Sequence, residues 1–203
     1  LIYLFVSDEV SYDKYNRHAD RTYRVTRNFL NPDGVPNLHL ATVAPPIGPL
    51  MKNDFGEIET LARTLQYNLV MAVEENGERT KIATENEVYM TEPDVFKIFD
   101  IETVSGNPAE ALRRPFTVML SEQIAKKYFE TTDVVGKHLK AGRRLDLEVT
   151  GVYKSFPRQS HWHPDFMVSF STLEDSTIYG RRGLETNWGN NAFSTYFLLE
   201  EGA

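Results

Sequence analysis

The sequence predicts an α+β fold in which both chain ends build one α/β unit around an inserted, β-rich middle. Three observations point there. Of the 203 residues, 41% are hydrophobic and 25% charged, the mix of an ordinary folded protein with enough residues for a core. Each end reads strand, helix, strand. The middle, about Glu74 to Phe156, reads as short strands, short helices and turns.

The elements follow from local patterns. Asp20 to Leu30 alternates, with Tyr23, Val25 and Phe29 on one face, as a half-buried strand does. Asn31-Pro32-Asp33-Gly34 closes it as a turn. Thr42 reads as an N-cap ahead of Pro45 and Pro46, and Ile47, Leu50 and Met51 mark a short helix that Gly56 can stop. Ile58 to Val73 reads as a strand, with Tyr67, Leu69, Met71 and Val73 in phase. Asn76-Gly77 is a hairpin signal, because both residues tolerate positive φ. A return strand through Ile82 and Ala83 follows, and Val88-Tyr89-Met90 forms another.

Pro93 opens a helix carrying Val95, Phe96 and Phe99. Asn107-Pro108-Ala109-Glu110 has the N-cap, first-turn Pro and acidic residue of a helix start, and Pro115 ends that helix. Phe116 to Leu120 is a brief strand, and Ser121 caps a helix whose Ile124, Ala125 and Tyr128 share a face. Leu145, Leu147, Val149 and Tyr153 alternate with polar residues as a strand. Asp165 to Phe170 is a strand, Ser171-Thr172-Leu173-Glu174 a capping box for a helix ending by Gly180, and Thr195 to Leu199 the last strand. Two βαβ units of this kind pack into one sheet with both helices on one face, the split ferredoxin-like arrangement. No low-complexity linker or solenoid repeat interrupts it.

Composition excludes several functions. There is no cysteine, so a disulfide scaffold, a thiol nucleophile and a Cys-ligated zinc are out. A net charge of −7 argues against nucleic acid as a partner. Charge is uneven: Glu74–Glu102 holds nine acidic and three basic residues, Arg113–Arg144 eight basic and three acidic. Solvated faces or a docking surface for a charged partner both produce that pattern.

The apolar run Leu1–Val6 is too short to span a bilayer and lacks the flanks of a signal peptide. It reads as a core element or as the tail of a transmembrane helix at the edge of a cut or processed chain. Ser7 to Tyr15 then resembles a helix leaving a membrane surface.

Motifs for chemistry are sparse. His161 and His163 share a face if extended, and Asp165 falls in the same phase, so the three could ligate a metal. Pro157 and Pro164 make a rigid turn the competing reading. Gly136-Lys137 fails as a phosphate loop, because Thr131 replaces the first glycine and His138 the metal-binding hydroxyl residue. Gly-x-Ser-x-Gly and His-Glu-x-x-His are absent. Asp8 with Glu9, and Glu74 with Glu75, read as solvated carboxylates. The sequence predicts no catalytic, cofactor-binding or metal residues, and no cofactor.

Val6-Ser7-Asp8-Glu9 through Tyr23-Arg24-Val25 resembles the segment after the first transmembrane helix in MacB/FtsX-like ABC transporter permeases. Further pieces agree in order: Thr42-Val43-Ala44-Pro45-Pro46-Ile47, Phe55-Gly56-Glu57-Ile58-Glu59, Val95-Phe96-Lys97-Ile98-Phe99, Gly106-Asn107-Pro108 and Ala111-Leu112. Leu120 to Phe129, Val135-Gly136-Lys137, Thr150-Gly151-Val152-Tyr153, Pro157 and Ser160-His161 complete the set. The resemblance implies a periplasmic core domain lying between the first two transmembrane helices. It implies a porter-like subdomain from residues 19–70 and 159–203, an inserted β-rich, Sabre-like subdomain at 71–158, and a transmembrane and juxtamembrane helix at 1–18. His161 becomes part of a family turn.

The resemblance also implies a non-enzymatic role: transmission of ATP-driven motion to a periplasmic substrate, in efflux, lipoprotein handling or antimicrobial-peptide resistance. The implied partners are a cytoplasmic ABC ATPase, a second permease copy, and a periplasmic protein or lipoprotein. The implied location is the periplasmic side of the inner membrane, with the two chain ends emerging together. A ligand-binding sensor domain of a membrane receptor is the alternative, and would need a pocket between the subdomains. A third is a hydrolase or metal enzyme built on His161 and His163.

Overall fold

The computed structural model describes residues 12–203, so the expectations for Leu1–Val6, Asp8 and Glu9 lie outside the described residues. Eleven strands and five α-helices are described. They are β1 (Thr22–Arg24), β2 (Arg27–Leu30), β3 (Pro36–Leu40), α1 (Ile47–Asp54), β4 (Ile58–Glu75), β5 (Glu78–Thr91), α2 (Val95–Ile98), β6 (Thr103–Gly106) and α3 (Pro108–Ala111). Then come β7 (Thr117–Ser121), α4 (Glu122–Phe129), β8 (His138–Ala141), β9 (Leu145–Tyr153), β10 (Phe166–Ser169), a 3₁₀ turn (Phe170–Glu174), α5 (Arg181–Thr186) and β11 (Phe193–Leu199).

Nine strands form one sheet in the order β1-β11-β4-β5-β10-β7-β9-β6, with β8 bridging β4 and β9; β2 and β3 make a separate hairpin. β11 is antiparallel to both β1 and β4, so β1 and β4 run parallel on either side of it, joined through α1. β10 pairs parallel with β5, which makes it parallel to β11, joined through α5. The mixed α+β reading therefore holds. β4 changes partner along its length: Ile58–Leu65 faces β11, whereas Met71 and Ala72 face β8. β10 in turn pairs with β7, so strands from the ends and from the middle of the chain share one sheet.

Two apolar clusters sandwich that sheet. One holds Leu65, Val88, Val118, Leu120, Phe166 and Val168, with Ile124 and Tyr128 from α4. The other holds Ala62, Met119, Met167, Tyr153 and Tyr196, with Val95 and Ile98 from α2. β7 and β10 contribute alternate residues to both clusters and are buried throughout. A strand covered on both faces loses polar alternation, which is why Val118-Met119-Leu120 and Phe166-Met167-Val168 are unbroken apolar triplets.

Several local expectations hold. Asn107 accepts from Ala109 N as the N-cap of α3, and Ser121 accepts from Ile124 N as that of α4. Asn76 and Gly77 take positive φ at the β4–β5 turn. Others need correction. The strand expected over Asp20–Leu30 splits in two, because β1 pairs with β11 and β2 with β3. The two strands expected after Gly77 are one, β5. Lys81 has φ of 46° there, and the ladder slips between Met71/Val73 and again between Tyr67/Leu69, which hides the period. Thr42 does not cap α1; its hydroxyl donates to Asn191 O at 2.6 Å, and the helix starts after Pro46. The box at Ser171–Glu174 does not form, since Thr172 Oγ1 accepts from Phe116 N at 2.8 Å and the segment is a 3₁₀ turn. Gly180 opens α5 instead of ending a helix.

One carboxyl group at the head of β10 is held against its preference. Burial, with Glu85 and Glu87 close by, raises the Asp165 pKa above 3.8, although Ser121 Oγ and Lys127 work the other way. A raised carboxyl adds stability below its ordinary pKa and loses it as pH rises through the folded value. Asp165→Asn keeps the acceptor for Ser121 and removes the charge. Its melting temperature is therefore expected to exceed the parent's at neutral pH, with the gap closing in acid; thermal melts across pH check this.

Candidate functional site

The segment that leads into β1 is clasped onto the body of the domain. Tyr12–Arg21 runs as successive turns rather than the helix expected to reach residue 18, with Asn16 N bonding to Asp13 O, Ala19 N to Asn16 O and Arg21 N to His18 O. Asp13 has φ of 60°, and its side chain turns inward rather than capping the next turn. Its carboxylate accepts from His161 N at 3.1 Å and lies 2.5 Å from His161 Nδ1, while its own N–H donates to Gln159 O at 2.9 Å. His161 Nε2 lies 3.2 Å from Tyr196 OH on β11. Tyr15 OH is 2.9 Å from Ser160 Oγ, which donates to Trp162 O at 2.6 Å.

A second anchor lies past α2. Asp100 accepts the backbone N–H of Arg17 at 2.6 Å and its guanidinium Nε at 2.6 Å, and Asp100 N donates to Asn16 Oδ1 at 3.0 Å. Burial works to raise the Asp100 pKa, but the two Arg17 bonds and its charge win and hold it below 3.8. The linkage sign follows: a depressed carboxyl gives stability above its unfolded pKa and loses it as pH falls through the folded one. Protection of the Arg17 amide against hydrogen exchange is therefore expected to drop in acid in the parent, and to lose that pH dependence in Asp100→Asn.

The anchors sit on an aromatic wall. Trp162 is 2% exposed, and its ring lies 5.0 Å from Phe99, 5.4 Å from Phe156 and 5.9 Å from Tyr89. Phe99 also meets Tyr196 edge-on at 5.1 Å. Edge-on and tilted pairs of this kind add to burial. They fix the loop that presents Ser160 and His161. A cavity of about 370 Å³ remains between the clasp and the wall, bordered by Asp13, Arg24, His161 and Tyr196.

The residues singled out in the sequence are placed apart. His161 faces Asp13 and Tyr196, His163 Nδ1 lies 3.3 Å from Ser160 O, and Asp165 takes the Ser121 hydroxyl. Trp162 between the histidines is buried while both of them are exposed. Among the described residues no three His, Asp or Glu side chains gather as a metal site. Lys137 Nζ stands 5.1 Å over the Phe129 ring, and Glu74 faces Lys140 at 3.8 Å. Sequence reading missed Asp13, Tyr15, Asn16, Arg17, Asp100 and Tyr196. The density of polar and aromatic side chains at 12–17 is the one signal they carry.

The clasped segment leads into β1 beside the end of β11. β1 pairs with β11 from Thr22↔Leu198 to Arg24↔Tyr196, Leu199 N donates to Arg21 O at 3.0 Å, and Arg21 Nη1 donates to Leu199 O. A family model described as the MacB-like periplasmic core domain matches residues 1–203. The chain belongs to that family.

Solved structures agree on the fold. The MacB-like domain aligns with a domain assigned to a permease protein from Porphyromonas gingivalis at 25% identity and a TM-score of 0.74, covering 93% of this chain and 76% of that one. It aligns with the periplasmic region of MacB from Actinobacillus actinomycetemcomitans at 12% identity and 0.58, covering 90% and 76%. It aligns with the extracellular domain of the noncanonic ABC-type transporter YknZ from Gram-positive bacteria at 16% and 0.55, covering 89% and 84%. No curated protein matches the sequence. The MacB-like core domain is the periplasmic domain of a membrane permease of the ABC type. No described helix is long and apolar enough to cross a membrane.

Proposed function

We propose that this MacB-like domain is a non-catalytic lever. It takes up motion driven by a cytoplasmic ABC ATPase and delivers it to a periplasmic substrate, protein or lipoprotein, as part of a permease acting with a second copy. The observation that carries this is mechanical. The start of β1, the end of β11 and the start of β4 lie side by side at one end, where Leu199 N donates to Arg21 O, and β4 runs from there to the Asn76–Gly77 turn. At ~3.3 Å per residue, its 18 residues span about 55 Å. β5 follows β4 through two bulges, and β11 and then β8 hold its other edge, so displacement at the base reappears at the tip. A porter-like part at 19–70 and 159–203 and a Sabre-like part at 71–158 fit the change of partner along β4, and the β7–β10 ladder couples them. Efflux, lipoprotein handling and antimicrobial-peptide resistance are the outputs this lever suits.

The test is the complete permease with its ATPase. Weakening the clasp is expected to lower the periplasmic output while ATP hydrolysis continues. Equal loss of both, or of neither, would contradict the reading.

One observation favours a sensor instead: a groove of about 710 Å³ runs past Leu50, Leu112, Phe170 and Leu184. Its arginines are engaged, however: Arg63 with Glu92 at 2.6 Å, Arg181 with Glu174, and Arg113 with Ala109 O at 2.5 Å. That leaves it short of the free, convergent polar groups that orient a small ligand.

A further inference from the structure

A shallow hollow of about 340 Å³ opens beside β1 and the end of β11, lined by Tyr23, Met51, Phe55, Phe197 and Leu199. Tyr23 is 48% exposed and stacks on Phe197 at 5.7 Å, and Phe55 is 54% exposed. We propose that this aromatic patch rests on the headgroup interface of a zwitterionic lipid bilayer, an inference that relies on the lever reading for its orientation.

Two observations select that occupant. The first is position. Tyr23 and Leu199 also border the neighbouring hollow lined by Arg17, His18, Asp20 and Arg21 and by Glu200–Ala203, so the patch adjoins the turn that enters β1 and the last residues of the chain. In a lever driven from the membrane, that is the side facing the lipid. The second is chemistry. Tyrosine and other aromatic side chains favour the layer between hydrocarbon and water, where an apolar ring and a polar edge are both accommodated. The charges lining the patch and the neighbouring hollow, with those bonded to Glu59, are Arg17, Arg21 and Lys52 against Asp20, Glu57, Glu59, Glu200 and Glu201, a net acidic surround that anionic lipid repels. The patch alone is too small for tight binding. In the permease the chain itself holds it near the bilayer, and effective concentration replaces affinity.

The experiment uses the full-length permease, with cysteines elsewhere replaced, in phosphatidylcholine–phosphatidylethanolamine bilayers. Nitroxides are attached singly at Phe55→Cys, Glu201→Cys and Ile82→Cys, the last an exposed position toward the far turn. Accessibility to oxygen is compared with accessibility to a water-soluble nickel chelate. The expected result is an oxygen-to-nickel ratio several-fold higher at 55 than at 82, not increased by adding phosphatidylglycerol. A ratio at 55 equal to that at 82, with 201 close to the bilayer, overturns the patch proposal and leaves the lever standing. Aqueous ratios at both 55 and 201 overturn the two together. A label at 55 shielded from both reagents means that a second copy or the Leu1–Val6 run covers the patch, and also overturns it. A rise in the ratio with phosphatidylglycerol overturns the zwitterionic assignment.

Discussion

Gly106→Ala is expected to destabilise the domain more than any other single-methyl change in it. Gly106 sits at the end of β6 with φ of 87°, opposite Gly151 of β9, and leads straight into the Asn107 cap of α3. A Cβ there would lie 2.2 Å from Thr150 O and 2.7 Å from the Gly151 Cα, both backbone atoms. The strand cannot yield alone, because β9 is held on its other side by β7. Left-handed strain on a non-glycine residue costs about 1–3 kcal/mol, and overpacking adds about 1–3 kcal/mol more. The sum, about 4 kcal/mol, is a large share of the ~5–15 kcal/mol that holds a typical domain together. Gly77→Ala is the control: its φ is 82° but nothing lies within 4 Å of the added carbon, so it carries the strain alone. Urea unfolding measures both. A Gly106→Ala midpoint as mild as that of Gly77→Ala would show that the β6–β9 approach is looser than described.

The second large effect is local. Asp13→Ala removes the acceptor that holds His161 by its backbone and its ring, and leaves those donors facing the 370 Å³ cavity. One hydrogen bond to a charged group contributes about 1.5–3 kcal/mol, and with both side chains about a third exposed the two together are held to about that. Opening of the clasp should therefore become roughly 10- to 100-fold easier by the usual conversion, while the sandwiched sheet is untouched. Hydrogen exchange is the readout. Asn16, Ala19 and Arg21 amides, bonded within the turns, should lose protection by about that factor. Amides of β7 and β10, buried on both faces, should not change. Uniform loss across the sheet would mean that the clasp is part of the global fold and not a separable element.

What the sequence revealed, and what it hid, divides by the range of the interactions. The caps at Asn107 and Ser121 and the Asn76-Gly77 turn are decided within four residues, and each was legible. β3, β6 and β8 were not read. β6 and the β4 side of β8 exist because a distant strand offers a ladder, whereas β3 is the exposed return of a short hairpin with β2 and carries no apolar period to read. α5 was missed because Gly180 suggests an end as readily as a start, and Leu173 O happens to accept its N–H. The clasp was illegible for the same reason in stronger form. Asp13 and His161 are separated by 148 positions, and Arg17 and Asp100 by 83. Polar pairs at that distance leave no period to detect.

The most direct test of the lever is to staple its base. Thr22 and Leu198 form a non-hydrogen-bonded antiparallel pair, whose Cβ atoms approach to about 4.5–5.5 Å, within small adjustment of disulfide geometry. These 203 residues contain no cysteine to compete. In the complete permease, with cysteines elsewhere replaced, the Thr22→Cys/Leu198→Cys pair is oxidised and the ATP-driven periplasmic output measured before and after reduction. A base that moves as one piece predicts the same output in both states. Output that stops on oxidation and returns on reduction would mean that β1 and β11 part during the cycle, and the rigid lever would be wrong.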